Sequence, residues 1–302
     1  MEKKEFKTFD FGSLSNIEKQ GFLSSAIAPR PICFASTVDL NGKVNLSPFS
    51  FFNVFSYNPP IMVFSPSRRG RDNTTKDTYE NLLQVPEVTI NIVNYSMVEQ
   101  MSLASTEYEK GVNEFIKAGF TEIPSDTIKP PRVAESPVSF ECTVDDIIEL
   151  GKEGGAGNLV LSRVQKAHIS TDFLDDDDQL ITMKLDLVGR MGGSWYTRSS
   201  GDSLFEIPKP LRTMGIGVDQ LPKSIRESNI LTANNLGRLG NLEDLPTIEQ
   251  ILTFKAEPVF NELLSRFSGE ELKDELHHLA KDMLENGDTV KALVILCSLE
   301  DE

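Results

Sequence analysis

Between Ser65 and Thr78 the chain carries Ser65, Ser67, Arg68, Arg69, Arg71, Lys76 and Thr78. Arginine forks, a lysine point charge and hydroxyl donors are the groups that hold phosphate. Lys76–Asp77–Thr78 stands where a helix would begin, so backbone amides would join them. Just upstream, residues 47–53 read SPFSFFN. Ser50 and Asn53 can hydrogen-bond heteroatoms, and Phe49, Phe51 and Phe52 offer apolar walls, the mixture that lines small-molecule pockets. The two stretches together suggest a pocket for a ligand with a flat aromatic part and an anionic end. The competing readings are a solubilising loop for the arginines and plain core for the phenylalanines, since strand alternation turns at least one of them inward.

The rest of the chain narrows the chemistry. A net charge of −16 argues against nucleic acid, which needs broad basic surface; one short basic cluster suits a single phosphate better. Cys33, Cys142 and Cys297 lie far apart without Cys/His ligand spacing, which predicts neither a zinc site nor disulfides but three buried small hydrophobes. His277 and His278 are adjacent rather than four apart, and His168 ends a strand, so packing or edge roles are expected for them. Asp175–Asp178 lacks EF-hand spacing and reads as a solvated loop. No dinucleotide fingerprint, P-loop, nucleophile elbow or HExxH sequence occurs, so no catalytic side chain and no metal ligand is assigned. MEKKEFKTFDFGSL has no apolar core of signal-peptide length, and no apolar run reaches bilayer-spanning length. The expectation is a cytoplasmic protein with no membrane partner.

These residues need strands to position them. Ile32–Val38 and Val44–Ser47 read as strands around a hairpin turn at Asn41–Gly42, with Pro48 breaking the ladder or marking an edge. Ile61–Ser65, Val88–Val93, Val138–Leu150 and Leu159–Ile169 are further strands, the last two joined by the glycine-rich GKEGGAG. Lys76–Gln84 reads as a helix capped by Asp77 or Thr78; Met97–Ser105 and Val112–Ala118 read as short helices. Short strands interrupted by a few helices predict a mainly β fold, a barrel with helical insertions. After about residue 210 the pattern turns helical, and residues 219–302 hold more than half of the acidic excess. There Ser268–Glu271 fits a capping box, and Leu272, Leu276, Leu279 and Met283 fall on one helix face.

The ordered motifs Arg30–Pro31, Asn41–Gly42, Asn45–Leu46–Ser47–Pro48–Phe49–Ser50–Phe51–Phe52–Asn53, Asn58–Pro59–Pro60, Lys76–Asp77–Thr78 with Asn81, and Asn91–Ile92–Val93 resemble the flavin reductase-like, FMN-binding split-barrel family, in particular its flavoredoxin branch. Gly189–Gly193 followed by Trp195–Tyr196 resembles the segment closing that branch's barrel. The resemblance covers roughly residues 20–210. It implies an FMN-binding split β-barrel over residues 1–210, with residues 211–302 as a helical acidic extension, and a homodimer with one FMN per subunit. It also implies roles. Ser36, Thr37 and the segment Ser50, Phe51, Phe52, Asn53 would meet the ring and ribityl parts; Ser65, Ser67, Arg71, Lys76 and Thr78 the phosphate; Trp195 and Tyr196 would approach the flavin. Some reductases of the family carry histidine where this chain has Asn158. The implied activity is an FMN-dependent oxidoreductase, a flavin reductase taking hydride from NADH or NADPH at flavin N5. The alternatives are an FMN electron carrier serving a protein partner and a non-catalytic flavin-binding protein.

Overall fold

Strand formation begins where β-branched and aromatic residues alternate with small ones. Cys33–Val38 (β1) and Val44–Phe49 (β2) form an antiparallel hairpin. Its turn places Gly42 at φ +78°, a conformation that costs glycine nothing. Pro48 lies inside β2, which is tolerated because β2 is an edge strand. Phe52–Tyr57 (β3), a strand the residue pattern does not announce, pairs with Pro60–Phe64 (β4). Glu87–Ile92 (β5) follows, then the two-residue strands Glu122–Ile123 (β6) and Arg132–Val133 (β7). The long strands Val138–Glu149 (β8) and Asn158–Ile169 (β9) come next, then the hairpin Val188–Arg190 (β10) and Tyr196–Arg198 (β11). Seven strands join in the order β2-β1-β5-β8-β9-β4-β3. The edges β2 and β3 do not pair, so the barrel is split rather than closed, as expected.

The computed structural model describes residues 5–207 and 213–300; the expected boundary at 210/211 lies outside them. The chain forms two compact units, residues 1–205 and 206–302. In the first, alternation along β1 feeds two cores. Cys33 and Ala35 pack with Phe49, Phe64, Leu82 and Val160 on one face, and Phe34 packs with Leu46, Met97, Met101 and Phe115 on the other. Asp77–Gln84 (α2) covers the former face through Leu82, and Val98–Leu103 (α3) and Glu114–Ala118 (α4) flank the latter. Asn16–Ala26 (α1) is headed by a Ser15–Glu18 capping box yet buries none of its side chains. Thr182–Leu185 (α5) precedes β10.

The second unit is helical, with Lys223–Arg226 (α6), Ala233–Leu239 (α7), Ile248–Lys255 (α8), Pro258–Arg266 (α9), Gly269–Glu285 (α10) and Thr289–Leu296 (α11). Leu272 and Leu276 are buried in its core, with Leu279 and Met283 packed against it, as their spacing predicts. The expected capping box does not form: Ser268 heads α10 without a side-chain cap bond. Glu270 and Glu271 still favour that end through the helix dipole. His277 is a packing residue, its Nδ1 2.7 Å from Ser228 Oγ. All three cysteines are buried and free. Among the described residues no helix is long and apolar enough to cross a membrane.

A polar strap crosses the sheet. Glu141 on β8 is fully buried and accepts hydrogen bonds from the Asp126 amide (2.7 Å), the Thr127 amide (2.8 Å) and the Thr127 hydroxyl (2.5 Å), with His168 Nε2 2.6 Å away. Burial by itself would raise this carboxyl; the bonds from Thr127, Asp126 and His168 outweigh it and hold the pKa at about 2, below the ordinary 4.5. A folded-state value below the unfolded one stabilises the fold at higher pH, and that contribution is lost as pH falls from 4.5 toward 2. Glu141→Gln leaves at least one buried donor facing an amide, so it is expected to cost about 2 kcal/mol at pH 7. In thermal melts across pH 2–7 its Tm should fall less steeply with acid than that of the wild type.

Candidate functional site

The basic loop runs from the end of β4 to the start of α2, and its seat is the connection between β8 and β9. Arg68 N donates to Ala156 O (2.8 Å) and Gly155 N to Arg68 O (3.0 Å). Asn73 Nδ2 donates to Lys152 O (2.9 Å) and Asn158 Nδ2 to Pro66 O (2.8 Å). A Cβ on Gly154 would stand 3.1 Å from the carbonyl oxygens of Arg69 and Gly70, and one on Gly157 2.6 Å from Ser65 Oγ. The glycine run is the expected hairpin connection, and it is also the surface on which the loop lies. Asn158 Oδ1 is buried without a partner.

Most of the loop's charge is consumed locally. Arg68 donates to the side chain (2.7 Å) and carbonyl (2.9 Å) of Asn73. Arg69 donates to Thr74 Oγ1 (3.0 Å) and Thr75 O (2.5 Å) and lies 3.6 Å from Glu107. Arg71 is exposed, and Asp72 (3.2 Å) and Glu107 (2.7 Å) raise its pKa. Lys76 is the exception. It is half-buried, and among the described residues it has no hydrogen bond or ion pair from its ammonium. Burial first, then the neighbouring Arg69, lowers its pKa.

Lys76 is also the N-cap of α2, in place of the expected Asp77 or Thr78, and it provides no side-chain cap bond. The amides of the first turn are therefore not met by a capping side chain. Thr78 is only 1% exposed and donates its hydroxyl proton to Asn45 Oδ1 (2.7 Å). One turn later Asn81 Nδ2 donates to Thr37 Oγ1 (3.2 Å). Thr37 and Ser36 are fully buried, and Ser36 Oγ has no partner. These three hydroxyls lie beneath the protein surface: those of Thr37 and Thr78 tie α2 to β1 and β2.

The aromatic stretch divides by alternation. Phe49 is core and Phe52 packs against it. Ser50 is half-buried, and Phe51 turns outward with its ring centroid 5.8 Å from the Arg30 guanidinium. Asn53 is exposed and accepts from the Val54 amide (2.8 Å). Ser65 is buried, its amide bonded to Phe51 O (2.9 Å), and Ser67 is half-buried. Arg30, itself buried, donates to the carbonyls of Ser24, Ile27 (2.7 Å) and Met191 (3.1 Å), joining the end of α1 to the β10–β11 hairpin. A Cβ on Gly189 would lie 2.8 Å from Pro29 Cβ, which explains a glycine there. In that hairpin Trp195 is 77% exposed, and the Arg190 guanidinium lies 4.6 Å from the Tyr196 ring. The structure thus gathers Ser65, Ser67, Arg71 and Lys76 in one loop, and gathers Phe51 and the hairpin of Trp195 and Tyr196 around Arg30. Asn45 and Asn81 enter the sequence only as motif residues and Glu114 carries no sequence signal, yet together they tie α2 in place; that role appears only once strand register is known.

Residues 25–184 match the flavin reductase like domain. The chain belongs to that family. The matched segment lies within the first unit. Among solved structures, nitrilotriacetate monooxygenase component B from Bacillus cereus is similar, with TM-score 0.63 and 25% identity over 68% of this chain and 100% of that one. A putative flavin reductase with split barrel domain from Shewanella frigidimarina NCIMB 400 gives TM-score 0.56 and 26% identity over 66% of this chain and 95% of that one. Flavoredoxin of Desulfovibrio vulgaris (Miyazaki F) shares the fold, with TM-score 0.51 and 19% identity over 61% and 92% of the two chains. An uncharacterised protein of Aquifex aeolicus is 34% identical over 181 residues, 60% of this chain and 90% of that one. Family membership makes this a flavin-related oxidoreductase.

Asn158 anchors the loop through Pro66, so Asn158→Ala should loosen it at a cost of about 1 kcal/mol. Limited trypsin digestion is expected to cut after Arg68, Arg69 or Arg71 several-fold faster in the variant.

Proposed function

We propose that this protein is a cytoplasmic homodimer binding one FMN per subunit in residues 1–210, with residues 211–302 as an acidic helical extension, and that it oxidises NADH or NADPH. The observation that carries the reading is Lys76: a half-buried cation with no partner among the described residues, beside a helix start without a side-chain cap. An anion there gains a charge-assisted bond, first-turn amides and the helix dipole together. A ribityl phosphate supplies that anion, and Ser65 and Ser67 add hydroxyls beside it. Ser36 and Thr37, being buried, would act through the strand that carries them.

FMN, when bound, supplies hydride acceptance at N5 from the nicotinamide. The chain's own residues bind and orient. Lys76 and the α2 amides fix the phosphate end. Phe51, held by Arg30, offers an outward ring for the flat part, with Ser50, Phe52 and Asn53 next to it in sequence. Trp195 and Tyr196 add aromatic surface on the hairpin anchored to the same arginine. Dimerisation is supported by the outward apolar row of edge strand β3, where Phe55 is 70% and Tyr57 94% exposed, and by α1, which buries none of its side chains. Such surface is the kind a second subunit covers. A second reading, an FMN electron carrier serving a protein partner, draws support from Asn158. It replaces the histidine of some family members and is turned into the loop rather than outward.

The purified protein is expected to show an oxidised-flavin spectrum with added FMN and to bleach anaerobically with NADH or NADPH. Bleaching by neither, with FMN bound, would favour the carrier. Lys76→Ala should raise the FMN dissociation constant by about tenfold or more, the worth of a charged hydrogen bond. Arg71→Ala, whose guanidinium is already paired, should change it less. An unaltered titration for Lys76→Ala would place the phosphate elsewhere.

A further inference from the structure

We infer that Glu114 is a positioning residue for the phosphate end of the flavin site, acting through Asn45 on the first turn of α2; this rests on the FMN reading above. Glu114 opens α4 and is buried. Its Oε1 accepts from Asn45 Nδ2 (3.1 Å) and its Oε2 from the Leu46 amide (2.9 Å). Asn45 Oδ1 in turn accepts the Thr78 hydroxyl (2.7 Å). Thr78 lies in the first turn of α2, two residues after Lys76.

The polarity of this chain of bonds is dictated by its far end. An ionised carboxylate only accepts, so Asn45 must turn its NH2 toward Glu114 and its oxygen toward Thr78, and Thr78 must then donate. A neutral partner that both donates and accepts would leave the Asn45 amide free to turn over. Burying a carboxylate here is unfavourable: desolvation raises the pKa of Glu114, and the nearby Asp77 adds to the rise. The two donors it satisfies could be met by smaller neutral groups, whereas fixing the direction of the Thr78 bond needs an acceptor that cannot donate. With the Asn81–Thr37 bond one turn on (3.2 Å), α2 is held at two points. The first lies in the turn whose uncapped amides, on the reading above, would meet the phosphate.

The role predicts a selective loss. Riboflavin and FMN share the ring and ribityl chain and differ in the phosphate. Glu114→Gln keeps the size but presents an NH2 to one of two donors. It should weaken FMN binding by about tenfold while leaving riboflavin within about twofold of wild type, since one directed hydrogen-bond network is lost at one end of the ligand. Thr78→Val, which removes the donor, should match it, and Thr78→Ser, which restores the donor, should bind both flavins as wild type does. These are read by fluorescence quenching of each flavin with the full chain, alongside a thermal melt. Equal weakening of both flavins, or FMN affinity unchanged in both Glu114→Gln and Thr78→Val, would overturn the inference. A wild type that binds riboflavin and FMN equally would instead remove the phosphate site itself, a failure of the reading beneath it. Should Glu114→Gln not fold, the Thr78→Val and Thr78→Ser pair decides the matter alone.

Discussion

The site depends on how α2 is held. Apolar packing through Leu82 draws the helix onto the sheet, but hydrophobic burial is non-directional and does not set rotation about the helix axis. Rotation is set by two buried side-chain bonds one turn apart, Thr78 to Asn45 and Asn81 to Thr37. Buried bonds of this sort are costly to leave unmade, so they specify one arrangement. These two bonds fix the orientation in which α2 presents the backbone amides of its first turn.

The loop solves a second problem, keeping several cations together in an acidic chain without surrendering all of them to carboxylates. Each arginine is directed back to a local acceptor: Asn73 for Arg68, Thr74 and Thr75 for Arg69, Asp72 and Glu107 for Arg71. They brace the loop as much as charge it. The glycine connection beneath admits the backbone of Arg69 and Gly70 at a distance any side chain would obstruct. What emerges is a loop whose arginines are engaged by neighbouring acceptors and whose Lys76 ammonium has no partner among the described residues.

Much of this was legible beforehand. The hairpin at Gly42, the long strands on either side of the glycine run, the stripe of Leu272 and Leu276, and three inert cysteines all follow from periods of two or 3.6 and from local turn chemistry. Strand β3 was not, because Phe52–Tyr57 is an edge strand in which Val54, Phe55 and Tyr57 are apolar yet exposed, which blurs the polar half of the alternation. The capping expectations at Ser268 and at Asp77 or Thr78 failed for a related reason. Residue type permits a cap, and only the path of the chain entering the helix decides whether it forms.

The amino-acid sequence by itself determined the fold class and the family, because those depend on local pattern and on motif order. Tertiary structure decided which polar and charged groups between Ser36 and Thr78 find partners within the protein and which do not. It withdrew Thr37 and Thr78 from the surface and occupied the three arginines, leaving Lys76. It also brought in Asn45, Asn158 and Glu114, each distant in sequence from the loop or helix it supports. The physical reason is that a polar side chain is spent on whatever donor or acceptor burial places beside it, and that neighbour is fixed by strand register and helix docking rather than by adjacency along the chain.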